Sequence, residues 1–157
     1  MQHSVIISYD NLVAQERIYT SNCHNQLAEI WSIMSDGTNE ITNNILFIIN
    51  DSPYGIERPY NALRLAINLA KRAGVFISVF MVGDGVLCAK KGQKTPDGYY
   101  NIDRMVQSLT RRCKLATWGT CCDARELGQE DLVEGVTKGT MDLQGEWTIE
   151  ADKVLVF

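Results

Sequence analysis

The chemistry available to this chain is concentrated in the run Trp118-Gly119-Thr120-Cys121-Cys122-Asp123-Ala124-Arg125-Glu126-Leu127, where two adjacent thiols precede a guanidinium. A cysteine reacts as its thiolate, and a nearby arginine together with a loop rich in free backbone N–H groups favours that anion. Cys121, four residues before Arg125, is therefore the candidate nucleophile and Arg125 its candidate partner. The competing reading is structural, because a free cysteine is among the most buried residue types and packs as a small hydrophobe. Adjacent side chains on an extended segment point opposite ways, so Cys122 is the more structural of the two.

What is missing narrows the chemistry. His3 and His24 both precede the firmly patterned part of the chain, which leaves a cysteine–histidine hydrolase without a base. There is no Gly-x-x-x-x-Gly-Lys-[Ser/Thr] phosphate loop. Gly83-Asp84-Gly85, with Cys88 three residues on, is half of a dinucleotide fingerprint and reads as a turn. The five cysteines (Cys23, Cys88, Cys113, Cys121, Cys122) are odd in number, scattered and without a Cys-x-x-Cys pair, so neither a metal site nor a disulfide framework is expected. No cofactor is expected either. Thiol exchange or sulfur transfer remains, since it requires only a favoured thiolate and access.

The elements that must position these residues begin at residue 45. Residues 1–44 are polar, hold five acids against one base and so carry the whole net charge of −4. They read as a loosely ordered N-terminal extension, with one weakly amphipathic piece, Leu27 to Met34, long enough for two turns of helix and the Cys23-His24 pair on the surface. Residues 45–157 read as one α/β domain, and the 45% apolar content of the chain suffices for a core without staples. With a pI near 5.1, no nucleic-acid partner is expected. No leader or spanning run is evident, so no membrane partner is expected and the cytoplasm is the default compartment.

Residues 45–49 form a continuous apolar run, as in a strand covered on both faces of a parallel sheet. Residues 60–73 follow with a broad apolar stripe opened by Pro59 and stopped by Gly74. Residues 75–82 make a second strand, completing a βαβ unit. Asn101 caps a helix whose core face is Ile102, Met105, Val106, Leu109 and Cys113. Strands are expected at 114–117 and 153–157, a short helix or strand at 130–136, and a helix at 140–149 weakened by Gly145. Ligands in such sheets sit beyond the carboxyl ends of the strands. Three loops leave those ends: 50–59, 83–85 and 118–127. In the first, Ser52 and Gly55 with the helix start at Pro59 suit a small anion or a persulfide sulfur held by backbone N–H groups, or else shape a turn.

Several of these segments resemble the DsrE family, in particular its YchN-like branch. They are Ile48-Ile49-Asn50-Asp51-Ser52-Pro53-Tyr54-Gly55-Ile56-Glu57-Arg58, then Asn61-Ala62-Leu63-Arg64-Leu65-Ala66, then Gly119-Thr120-Cys121 with Asp123-Ala124-Arg125, and Ala151-Asp152-Lys153-Val154-Leu155 at the end. The resemblance implies a three-layer α/β sandwich with a mainly parallel sheet of about five strands. It also implies assembly into homotrimers or homohexamers with the cysteine loops near subunit contacts, and kinship with subunits that relay persulfide sulfur between donor and acceptor proteins. On that reading Cys121 carries the sulfur with Arg125 beside it, and Ser52, Tyr54, Gly55, Trp118, Gly119, Thr120 and Asp123 line the site. Where the branch has Cys-x-x-Cys before Asp-x-Arg-Gly, this chain has Trp118 at the first cysteine and Glu126 at the glycine. A non-enzymatic oligomeric binding or structural protein of the same fold is the alternative, and a thiol redox role is a third option.

Overall fold

The computed structural model describes residues 43–157. The expectations for the N-terminal extension therefore fall almost entirely outside the described residues. Five strands alternate with helices: β1 (Asn43–Ile49), α1 (Arg58–Leu69), β2 (Val75–Met81), α2 (Ile102–Leu109), β3 (Lys114–Trp118), α3 (Gly119–Asp123), β4 (Thr137–Gly139), α4 (Met141–Glu150) and β5 (Lys153–Val156). Two 3-10 segments, Gly83–Ala89 and Gln129–Asp131, complete the set. All pairings are parallel, in the order β4-β3-β2-β1-β5. The sandwich and its five strands match the sequence expectation.

Alternation along the strands builds the layers. Phe47, Ile49, Val79, Met81 and Leu115 point to the face covered by α1 and α2, where they meet Ala62, Leu63, Ala66, Ile102, Val106 and Leu109. Leu46, Phe80 and Ala116 point to the other face, onto Trp147 of α4. The Phe80 and Trp147 rings meet edge to face with centroids 5.5 Å apart, a favoured aromatic geometry. Because β1 and β2 are covered on both sides, they read in the sequence as mostly apolar runs, from Ile45 in β1 and with Ser78 the one polar residue of β2.

Helix ends follow local chemistry. The Asn101 side chain accepts from Arg104 N–H at 3.0 Å and starts α2; the Thr140 hydroxyl accepts from Leu143 N–H at 3.3 Å and starts α4. Both are side-chain caps that satisfy a first-turn donor. α1 ends at Leu69, four residues short of expectation, because Arg72 N–H bonds back only to the Leu69 carbonyl and the chain tightens into a turn. α2 also ends before Cys113, which packs half-buried against the same core. Of the segment expected at 130–136, only its start is regular, as the end of the 3-10 turn Gln129–Asp131, and the next strand begins beyond it at Thr137. That strand, Thr-Lys-Gly at the sheet edge, has no apolar pattern to announce it.

Candidate functional site

The carboxyl ends of β1, β2 and β3 are knitted together by the turn that follows β2. Val82 N–H donates to the Ile49 carbonyl and Gly85 N–H to the Asn50 carbonyl, both at 2.9 Å. Gly85 lies so close to β1 that a β-carbon there would overlap the Ile49 carbonyl. Gly83 takes a left-handed φ of +55°, which glycine adopts without steric cost. That conformation directs the Gly83 N–H to Cys121, whose Sγ accepts it at 3.3 Å. Gly-x-Gly is thus a turn, as read from sequence, and in addition the source of a thiol's hydrogen-bond donor.

Residues 119–123, expected within a loop, form the short helix α3, set directly on the end of β3. Gly119 permits this, since a β-carbon there would stand 3.1 Å from the Gly139 carbonyl of β4. Within α3 the two thiols separate. Cys122 is buried beside Val86 and Leu127, and its Sγ donates to Thr117 Oγ1 at 3.3 Å. Cys121 is half-buried. Thr120 and Asp123 are exposed, and Trp118 packs its ring against the Leu46–Phe80–Trp147 cluster.

Arg125 makes its hydrogen bonds to groups other than the Cys121 thiol. Its Nε and Nη2 donate to Asp84 Oδ1 at 3.1 and 2.6 Å, and its Nη1 donates to the Cys121 carbonyl at 2.9 Å. It braces α3 against the Gly83–Gly85 turn. A second brace runs from Lys138 Nζ to Asp123 Oδ1 at 2.7 Å and to the Leu127 carbonyl at 3.2 Å; the bond to Asp123 holds the ammonium above its ordinary pKa. The pairings of Asp84 with Arg125 and of Lys138 with Asp123 have no signal in the sequence, because the partners lie 41 and 15 positions apart.

The other thiols are set for packing. Burial pushes the Cys88 pKa up to about 12, and its Sγ lies 3.7 Å from the Asp51 carbonyl. Burial likewise pushes Cys113 up to about 11. All four described cysteines are free, and no cluster of three or more metal-ligating side chains occurs among the described residues. No helix of the described residues is long and apolar enough to cross a membrane.

The first loop serves a different set of contacts. The Ser52 hydroxyl donates to the Tyr54 carbonyl at 3.1 Å, and Asp51 pairs with Arg58 at 3.2 Å. The Tyr54 hydroxyl donates to Gln93 Oε1 at 2.6 Å and its ring stacks near Tyr100. Gly55, at φ +94°, is exposed. The sequence-derived site residues thus form two groups. Trp118, Gly119, Thr120, Cys121, Asp123 and Arg125 surround α3, whereas Ser52, Tyr54 and Gly55 join the segment before α2. The Gly83–Ala89 segment touches both groups, through Gly83 to Cys121 and through the Leu87 and Cys88 carbonyls to Gln93.

A family model described as the DsrE/DsrF-like family matches residues 43–157, the whole of the described region. Protein YchN of Escherichia coli K12 is 37% identical over 115 residues, covering 72% of this chain and 97% of that protein. An uncharacterised protein of Methanopyrus kandleri is 36% identical over 121 residues, covering 77% and 99% of the two chains. The crystal structure of the Escherichia coli YchN protein superposes with a TM-score of 0.67 at 36% identity, over 74% of this chain and 100% of that one. A Methanobacterium thermoautotrophicum protein of unknown function shares the fold at 17% identity, with a TM-score of 0.56 over 72% of this chain and 98% of that one. With a matched region that spans every element of the sheet, this chain belongs to the DsrE/DsrF-like family.

Proposed function

We propose that the protein is a sulfur-handling member of this family that carries sulfane sulfur as a persulfide on Cys121. The observation that carries the reading is the Gly83 N–H aimed at Cys121 Sγ, on a half-buried thiol. A hydrogen bond given to a thiolate favours the charged form. In the loading step the Cys121 thiolate attacks the terminal sulfur of a donor persulfide, R–S–SH. A new S–S bond forms at Cys121, the donor S–S bond breaks, and R–S⁻ leaves with its electron pair. No oxidant is needed, because the zero-valent sulfur moves as such. In the unloading step an acceptor thiolate attacks the outer sulfur and Cys121 leaves as a thiolate, again met by the Gly83 donor. The reading places the protein in the cytoplasm, where thiols stay reduced, and as a homotrimer or homohexamer that meets donor and acceptor proteins.

The test is intact-mass analysis of the full chain after incubation with cysteine persulfide. A gain of one sulfur mapped to Cys121, and abolished in Cys121→Ser, is the expected result. An unmodified chain, or sulfur spread over all five cysteines, overturns it. Sedimentation at micromolar concentration is expected to give a multiple of three copies, and a monomer refutes the assembly.

One observation favours a second reading. At the position of the first cysteine in the family pattern, Trp118 is packed into the α4-side cluster. A non-enzymatic oligomeric protein that kept the fold and lost carrier activity is the reading that the unmodified outcome supports.

A further inference from the structure

Outside the Cys121 site, a column of aromatic rings runs along the α1 side of the first loop. The Arg64 guanidinium lies 5.2 Å from the Tyr60 ring centroid. Tyr60 stacks on Tyr100 at 4.1 Å, and Tyr100 neighbours Tyr54 at 5.9 Å with planes 23° apart. One end of the column is therefore already closed by a guanidinium. The other end opens into a cleft of about 370 Å³, lined by Tyr54, Tyr99 and Tyr100 with Pro96, where Glu57 and Lys94 are the only charged lining residues. Its size falls in the range of small-ligand sites.

The cleft is pre-formed, although its wall at residues 90–100 has no regular secondary structure. Gln93 Nε2 donates to the Leu87, Cys88 and Lys90 carbonyls, Asp103 Oδ2 accepts from Gly92 and Gln93 N–H, and Asn101 Nδ2 donates to the Gln93 carbonyl. Tyr54 is pinned by its own hydroxyl, which donates to Gln93 Oε1 and accepts from Ile102 N–H. Tyr99, by contrast, stands 71% exposed at the rim. Aromatic faces attract cations, and Glu57 adds a carboxylate, which caps nothing in α1. Burial and then the neighbouring Glu57 charge push the Tyr100 pKa up, which keeps its hydroxyl protonated beside the carboxylate. A carboxylate has about four acceptor positions, enough for a forked donor.

We propose that this cleft binds a guanidinium group, held between the Tyr54 and Tyr99 rings with Glu57 as its counter-ion, in the manner that Arg64 already occupies the other end of the column. Lys94 opposes the ligand's charge from the rim, and its flexible stem lets it swing into solvent. Where the ligand is free arginine, Lys94 meets the α-carboxylate; where it is an arginine side chain of a partner polypeptide, Lys94 only repels.

The test is an NMR titration of the full chain with N-acetyl-arginine amide, free arginine and N-acetyl-phenylalanine amide. Saturable shifts at Tyr54, Gly55, Tyr99 and Tyr100 are expected for the two guanidinium compounds and not for the phenylalanine derivative. Glu57→Gln and Tyr99→Ala, both at exposed side chains, are each expected to weaken binding by roughly two- to five-fold, as for one cation–π or ion-pair contact at an exposed site. Lys94→Ala tightens the capped arginine in every case. Weaker binding of free arginine to that variant identifies the free amino acid as the source, and tighter binding of both compounds identifies a polypeptide. Equal response to the phenylalanine derivative, no saturable shift, or an unchanged affinity in Glu57→Gln overturns the proposal. The Cys121 reading stands or falls separately, since Cys121→Ser leaves this titration unaltered.

Discussion

Burial makes a quantitative claim about which thiols react. Alkylation consumes the thiolate, so each pKa unit above the working pH lowers the rate about ten-fold. At pH 8 a thiol at the ordinary value of 9.0, from which both shifts are reckoned, is ionised about one time in ten. With its pKa near 12, Cys88 is ionised about one time in ten thousand, and Cys113, near 11, about one in a thousand. Unfolding removes the cause of both shifts. It should therefore accelerate Cys88 about a thousand-fold and Cys113 about a hundred-fold from ionisation alone, before access is counted. The assay is iodoacetamide labelling at pH 8 with and without guanidinium chloride, read cysteine by cysteine from peptide masses. A Cys23→Ser background removes the thiol that lies outside the described residues. In the native state Cys121 should label first, ahead of Cys113, with Cys88 slowest. If native Cys88 labels within ten-fold of its unfolded rate, or Cys113 overtakes Cys121, the assignment of roles to these thiols is wrong.

The same shift has a thermodynamic face. Below pH 9 Cys88 is protonated in both folded and unfolded chains and stability does not depend on it; between about 9 and about 12 only the unfolded chain loses the proton, so stability falls as pH rises, by roughly 1 kcal/mol per unit. Urea midpoints from pH 9 to 11 should fall more steeply in the parent than in Cys88→Ala, and parallel slopes would refute the burial of this thiol. Gly85→Ala should prevent stable folding or cost several kcal/mol, because its β-carbon collides with the Ile49 carbonyl of a central strand; a melting temperature within a few degrees of the parent would contradict the close approach. Asp84→Asn should change stability by less than about 1 kcal/mol, since the pair with Arg125 is mostly solvated on the Asp84 side. It should nevertheless speed sulfur uptake from an anionic donor by freeing the guanidinium, and a rate equal to the parent's in both Asp84→Asn and Arg125→Ala would leave Arg125 a brace only.

Much of the fold was legible because its determinants are local. β1 and β2 are buried on both faces along most of their length, so Ile45 to Ile49 and, apart from Ser78, Val75 to Met81 are apolar; Asn101 caps α2 through a bond to a neighbour three positions on. The elements that escaped are those whose reasons lie elsewhere in the chain. β4 exists because Thr137 to Gly139 pair with the end of β3, not because of any preference of Thr-Lys-Gly. α3 has five residues, too few to hold together alone, and is helical because Gly119 fits against β4 and Arg125 and Lys138 tie it down. Tyr54 and Gly55 were grouped with Cys121 because both loops leave carboxyl ends of strands. What the sequence could not convey is the pull of Gln93 and Tyr100, which commits Tyr54 to the other cleft.

The thiol site illustrates the deeper limit. Arg125, the cation four residues from Cys121 in the sequence, has its guanidinium occupied by Asp84 and a backbone carbonyl. The group that reaches Cys121 Sγ is instead the N–H of Gly83, a donor that every residue except proline possesses. Its aim depends on a left-handed φ and on how closely the turn presses against Ile49, and therefore on Gly85 having no side chain. Two glycines that look like ordinary turn residues are thus as much part of the site as the cysteine. The donor is also independent of Trp118, whose ring packs toward the α4 side. A tryptophan at that position therefore leaves the hydrogen bond to Cys121 untouched. The persulfide carrier proposed above accordingly rests on Cys121, with the β2 turn as its support.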